Sequence, residues 1–200
     1  TKIVDVFAGK TLTTYHIRRG DIILDPIASN KLWPNKFIPR EFYEQHLDVT
    51  LRDPNAQVLC FSDTPIEVDR LKEKDPDRVQ GFKDLLGNRE FTTGARDFLE
   101  LYAMSRCQQI YGRPSSAFSQ TAMAIGGSSL DAVQDALAAD DQAAAMDRMT
   151  DRFEERSTLF LNMGDVGQCL YLLIEHQAAK GNSIRVKRII RTYTEDGLDK

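Results

Sequence analysis

No apolar run in this chain approaches the roughly 20 residues that a helix needs to cross a bilayer. Cysteine is scarce. Cys60, Cys107 and Cys169 are odd in number, widely spaced and without a CxxC pair, which excludes a disulfide framework and points to a reducing, cytoplasmic setting. Two of them lie inside apolar stretches, where buried free thiols are common. Basic charge is not in excess either: a net charge of −4 and a pI near 5.4 argue against a nucleic-acid partner. The late cluster Arg185, Lys187, Arg188 and Arg191 reads as a solvated helix face. The three histidines are scattered, which speaks against a zinc site. Also missing are a GxGxxG turn after a strand, a P-loop and a nucleophile elbow, so dinucleotide-binding enzymes and P-loop NTPases are not indicated. Asp75-Pro76-Asp77 does spell Asp-x-Asp, but a stiff proline between the acids in a charged loop makes it a chance match. No secretory leader is visible, and the chain opens on Thr1 rather than Met, as an excised domain would.

What is present suits an α/β protein. A chain of 200 residues is long enough for one domain with a substantial core, or one domain with an appendage. Its first two-thirds alternates strand and helix signals, the mark of βαβ units and a mainly parallel sheet. Thr13 to Arg18 reads as a strand, followed by an irregular loop from Gly20 to Pro39 that contains Trp33. Pro39 opens a helix reaching about Leu51. Gln57 to Ser62 is a short apolar strand of the kind buried on both faces. A charged helix runs from Ile66 to about Lys74, and Glu90 to Thr93 is expected as a weak third strand. Phe98, Leu99, Leu101, Tyr102, Met104 and Ser105 recur at helical spacing within a helix from Ala95 to Cys107. Gln109 to Gly112 is a fourth strand, and a small-residue helix then ends at Gly126-Gly127. From Ser128 the character changes. Ser129 and Asp131 suit a helix cap, an alanine-rich helix extends to about Asp147, and helical signals continue with a break near Asn162 to Gly164. Leu170, Leu172, Leu173 and Ile174 need burial against something. No internal repeat is evident. The chain thus divides into an α/β unit over residues 1–127 and a helical segment over 128–200, packed on the same domain or beginning a helical continuation.

Three polar turns follow predicted strands: His16 to Asp21, Ser62 to Pro65, and Arg113 to Ser119. In an open parallel sheet, ligands bind in the crevice outside the carboxyl ends of the strands. An arginine there can hold a phosphate through two parallel hydrogen bonds, which a lysine cannot do. Of the pair Arg18-Arg19, strand alternation points the two side chains to opposite sides, so that one can face a ligand while the other braces the turn. Ser115, Ser116 and Ser119 stand at a helix start, whose free N–H groups suit an anion. Each turn also has a structural use: Arg18-Arg19 in a surface ion-pair network, and Ser62-Asp63 and the three serines as plain helix caps. Asp97, near the start of its helix, favours the macrodipole in any case. Taken together, the turns suggest a nucleotide diphosphate.

In this order the turns resemble those of the GDP-fucose-dependent fucosyltransferases, the α1,2-, α1,6- and protein O-fucosyltransferases. Their His-x-Arg-Arg-x-Asp turn matches His16, Arg18, Arg19 and Asp21, and their strand ending in Ser/Thr-Asp matches Phe61-Ser62-Asp63. Their third block matches Asp97 through Ser119, including Met104-Ser105-Arg106-Cys107. The resemblance spans Thr11 to Gly127 and implies a Rossmann-like, donor-binding half of a two-domain GT-B glycosyltransferase. It implies that Arg18 holds the β-phosphate of GDP-fucose, that His16, Arg19 and Asp21 belong to the site, and that Ser62 and Asp63 lie near the nucleoside. Asp97, Ser115, Ser116 and Ser119 complete the implied set around the donor. The implied reaction is metal-independent transfer of fucose, with inversion, to a glycan or protein hydroxyl, using GDP-fucose as substrate and no cofactor. Gln120-Thr121-Ala122-Met123 stands where the α1,2 branch carries paired tryptophans, leaving the acceptor linkage open, and nothing beyond Ser128 matches. A non-catalytic binding module on the same fold, or a glycosyltransferase for another nucleotide sugar, are the alternatives.

Overall fold

The continuous apolar run before Ser62 forms the strand that organises the sheet. In a computed structural model of the chain, which describes residue 7 and residues 9–24, 36–87, 89–154 and 160–195, β2 spans Ala56–Ser62. Its alternate side chains serve opposite layers: Val58 and Cys60 join one hydrophobic core, Leu59 and Phe61 the other. All four are at most 1% exposed, and each of the larger ones contributes about 1.5–3 kcal/mol by burial. β1 (Thr11–Ile17) pairs with β2 over its whole length, from Thr11 beside Ala56 to Ile17 beside Ser62. β3 (Val79–Gly81), β4 (Gln109–Tyr111) and β5 (Ser129–Asp131) complete a five-stranded, all-parallel sheet in the order β3-β2-β1-β4-β5. The protein is therefore α/β with a Rossmann-like parallel sheet.

Helices cover both faces. One layer holds α1 (Arg40–Thr50), α2 (Pro65–Lys72) and three C-terminal helices: α6 (Ala139–Glu154), α7 (Met163–Ala179) and α8 (Ser183–Glu195). The other holds α3 (Phe82–Leu86), α4 (Thr93–Ser105) and α5 (Ala117–Gly126). The C-terminal helices share the core of the sheet, since Met149, Phe153, Val166, Cys169 and Leu173 belong to one buried cluster with Tyr15, Val58 and Cys60. Leu170 and Leu172 pack against that cluster, so the leucine run is satisfied within the chain. Arg185 and Arg188 on α8 both pair with Glu154.

Several expected elements are corrected. Glu90 to Thr93 is not a strand: its residues are exposed, and Thr92 caps α4 by accepting from the Ala95 N–H at 3.4 Å. The third strand is instead Val79–Gly81, too short to leave an alternating pattern. Ser129 to Asp131 is the edge strand β5 rather than a helix cap, and the next helix begins at Ala139. The break expected near Asn162 to Gly164 is present: residues 160–162 are not helical, and Asn162 is the N-cap of α7, its side chain accepting from the Asp165 N–H at 3.0 Å. Pro39 precedes α1 as its N-cap residue. Phe98 and Tyr102, expected on the apolar face of α4, are 66% and 43% exposed; Ala103, Met104 and Ser105 supply its buried end. Trp33 and the rest of residues 25–35 lie outside the described residues. Cys60, Cys107 and Cys169 are buried free thiols.

The seam between α4 and α5 is set by one glycine. A Cβ on Gly126 would lie 1.6 Å from the carbonyl oxygen of Ser105, so only glycine lets the helices approach this closely. Gly126→Ala is expected to lower unfolding stability by about 2–4 kcal/mol through backbone displacement. Urea denaturation reads this directly, and a loss under about 0.5 kcal/mol would show that the seam opens without cost.

Candidate functional site

Because every strand runs the same way, all carboxyl ends reach one rim. The chain winds from β1 outward through β2 and β3, then crosses back to β4 and β5 on the other side of β1. Strand order therefore reverses between β1 and β4, the position at which open α/β sheets bind ligands. A cleft of about 710 Å³ opens along this rim. Its walls include His16, Arg18 and Asp21 after β1, Ser62, Asp63 and Pro65 after β2, Lys83 on α3, Arg96, Asp97 and Glu100 on α4, and Ala117 and Phe118 at the start of α5.

The turn after β1 is tied to the end of β2. Asp63 accepts from the Arg19 N–H at 2.9 Å and from the Thr64 hydroxyl at 3.2 Å. The Ser62 hydroxyl donates to the Ile17 carbonyl at 2.8 Å and accepts from the Thr64 N–H at 3.0 Å. Ser62 and Asp63 thus fasten two strand ends together as well as lining the cleft. Gly20 lies against this clasp, where a Cβ would come within 2.5 Å of Asp63 Oδ2. The chain then makes a single π-helical turn over Gly20–Leu24.

Arg18 and Arg19 diverge. Arg18 reaches the mouth of the cleft, donating from Nε to Asp21 Oδ1 at 2.9 Å and from Nη2 to Oδ2 at 2.6 Å. This fork is exposed, so its net worth to stability is at most about 1 kcal/mol. Arg19 points into the core, where it pairs with buried Glu67 at 3.1 Å and sits over the Phe37 ring at 4.5 Å. Arg19 is thus outside the cleft walls.

His16 stands between the first and third turns. Its Nδ1 lies 2.5 Å from the Ser119 hydroxyl, its ring leans on Phe118, and its carbonyl accepts from the Tyr43 hydroxyl at 3.0 Å. Burial pushes the imidazole pKa down to about 4, against a smaller raising effect of Asp63, so the ring is neutral at neutral pH. Ser119 is fully buried beneath His16, Ser116 is buried at the N-cap of α5, and Ser115 is exposed. None of the three serines is among the cleft walls. The Ser116 side chain makes no cap hydrogen bond at the start of α5, where Ala117 and Phe118 line the cleft. Arg113, at the head of this turn, donates instead to the Phe37 carbonyl at 2.7 Å.

The charges are mixed: Arg18, Lys83 and Arg96 face Asp21, Asp63, Asp97 and Glu100. Burial raises the Glu100 pKa and Arg96 opposes it. The cleft is therefore not a generic anion trap. Of the residues named from the sequence, His16, Arg18, Asp21, Ser62, Asp63 and Asp97 line this cleft and Arg19, Ser115, Ser116 and Ser119 do not; Lys83, Arg96, Glu100 and Phe118 line it without having been named. Arg96 and Glu100, four residues apart on either side of Asp97, form an i,i+4 pair, a signal that could have found them; Lys83 follows the strand that had no pattern. Asp75 is engaged by Arg78 at 2.7 Å, and among the described residues no cluster of His, Cys, Asp and Glu is arranged to hold a metal ion. Among those residues, too, no helix is long and apolar enough to cross a membrane. No family model, curated protein or solved structure matches this chain.

Proposed function

We propose that the chain binds a nucleoside diphosphate sugar, GDP-fucose on the strength of its motifs, as the donor-binding half of a GT-B type fucosyltransferase. The observation that carries this reading is an exposed arginine fork and a helix start on one cleft at the reversal of strand order. The cleft volume of about 710 Å³ lies within the range of small-molecule sites. A diphosphate can replace the Asp21 carboxylate on Arg18 with the same two-point geometry. In the reaction the bond between fucose C1 and the β-phosphate oxygen breaks, and GDP leaves with the electron pair. The acceptor oxygen bonds to C1 from the opposite face and gives its proton to a base, for which Asp97 and Glu100 are the carboxylates at hand. Charge develops on departing GDP, so a fixed guanidinium stabilises the transition state more than the ground state.

GDP at about 100 times its Kd is expected to add about 2.7 kcal/mol of stability, a thermal shift of roughly 5–10 °C for a chain of this size. Arg18→Ala should abolish the shift while leaving the ligand-free melting temperature nearly unchanged. A folded sample that gives no shift with millimolar GDP would overturn the reading, and a preference for UDP or ADP would replace the nucleotide. Transfer from labelled GDP-fucose by a protein containing this domain, lost in Arg18→Ala, tests the chemistry. The second reading, a non-catalytic module, is favoured by Asp21, which already satisfies two donors of Arg18. It predicts binding without transfer, or no binding at all.

A further inference from the structure

Ser119 was expected beside a diphosphate, yet it is 0% exposed and its hydroxyl meets one partner, His16 Nδ1 at 2.5 Å. A buried hydroxyl that cannot place its proton costs about 1–3 kcal/mol. Among the described residues, His16 Nδ1 is the acceptor recorded for it, which requires Nδ1 to be the unprotonated ring nitrogen. Burial keeps the ring neutral, so its one proton sits on Nε2. The ring lines the cleft, and among the described residues Nε2 has no recorded partner. Contact with Phe118, ring centroids 5.5 Å apart, and the Tyr43 bond to the His16 carbonyl hold this orientation.

We infer that Ser119 is a positioning residue: by donating to Nδ1 it fixes the tautomer of His16 and turns a neutral Nε2–H donor toward the cleft. His16 then offers a ligand oxygen a hydrogen bond, and its one basic lone pair, on Nδ1, is turned to Ser119 and away from the cleft. That this oxygen belongs to the diphosphate rests on the nucleotide-sugar reading above; the tautomer itself does not. The arrangement favours an oxyanion over a cation at this point of the cleft, although three cationic side chains do not outnumber four carboxylates there.

Two-bond ¹H–¹⁵N correlation spectra of the imidazole in the ligand-free chain test the tautomer. A pyridine-type Nδ1 and a pyrrole-type Nε2 are expected, and Ser119→Ala should convert this to a mixed-tautomer pattern. Calorimetry with GDP should show about tenfold weaker binding in Ser119→Ala. His16→Gln, whose amide nitrogen reaches the Nε2 position, should bind within about threefold of wild type, whereas His16→Asn should lose about tenfold. This pair decides the matter even if Ser119→Ala does not fold. A pyrrole-type Nδ1 in the wild type, or equal affinities for the Gln and Asn variants, would overturn the inference. If GDP fails to bind the wild type, the nucleotide reading falls and the spectra still decide the tautomer.

Discussion

Glu67→Ala is expected to lower the unfolding free energy by about 3–5 kcal/mol, the usual penalty for stranding one charge of a buried pair. Arg19 and Glu67 have side chains only 2% and 3% exposed, 3.1 Å apart. Without Glu67, Arg19 keeps the Phe37 face, a long 3.3 Å bond to the Arg18 carbonyl and the weaker attraction of Asp165, and loses its paired carboxylate. Arg70, which donates to the other Glu67 oxygen at 2.9 Å, loses its partner there as well. Urea denaturation measures the loss. The double variant Arg19→Met with Glu67→Leu should recover most of it, because apolar replacement of a whole buried pair is often neutral or stabilising. A single variant that loses under about 1 kcal/mol would mean that water reaches the Arg19 guanidinium. Because the Arg19 N–H is held by Asp63 in the adjoining clasp, the single variant should also weaken GDP binding without touching the cleft.

Stability should fall steeply as pH drops from 6.5 toward 4. Burial holds both His16 and His46 down to about 4, from the ordinary 6.5. The unfolded chain therefore binds more protons than the folded one across this window. The two histidines contribute fully above pH 6.5, and their contribution is lost as pH falls through about 4, at about 3 kcal/mol each. The physical cause is plain in the contacts: His46 Nδ1 takes the Tyr15 hydroxyl at 2.8 Å inside an aromatic nest, and a proton there would need a solvent it cannot reach. Carboxylates held low by cationic partners, such as Asp48 beside Lys74 and Arg148, titrate only further down. Urea midpoints measured between pH 7.5 and 4.5 should show this slope, and His46→Phe should flatten about half of it. A flat profile between pH 6.5 and 5 would show that both rings protonate without leaving their sites.

The sheet was legible where burial leaves a pattern and illegible where it does not. Val58 to Phe61 are buried on both faces, so their apolar run announced β2. β3 and β5 are edge strands with one apolar residue apiece, Val79 and Leu130, and neither has a periodicity to read. Ser129 and Asp131 even imitate a helix start, because the residue types that cap helices also tolerate exposed edges. The candidate site was legible to the extent that a parallel sheet sends every strand end to one rim, and strand alternation separated Arg18 from Arg19. The serines were not: whether Ser116 or Ser119 faces a ligand depends on where α5 begins, and a start at Ala117 turns Ser119 inward onto His16. Lys83 reaches the cleft only through the docking of α3, which no local pattern encodes, whereas the i,i+4 pair Arg96 and Glu100 shares the helix of Asp97.

The start of α7 lies directly on the π-helical turn after Arg19. Asn162 donates to the Ile23 carbonyl at 2.8 Å, across 139 residues of chain, and a Cβ on Gly164 would stand 2.7 Å from that same oxygen. During synthesis β1 and β2 emerge before α7, so the strand-end clasp of Asp63 on the Arg19 N–H can form before the π-helical turn gains its contact with this distant helix. A nascent chain can thus pair β1 with β2 before the turn that follows Arg19 is braced by Asn162.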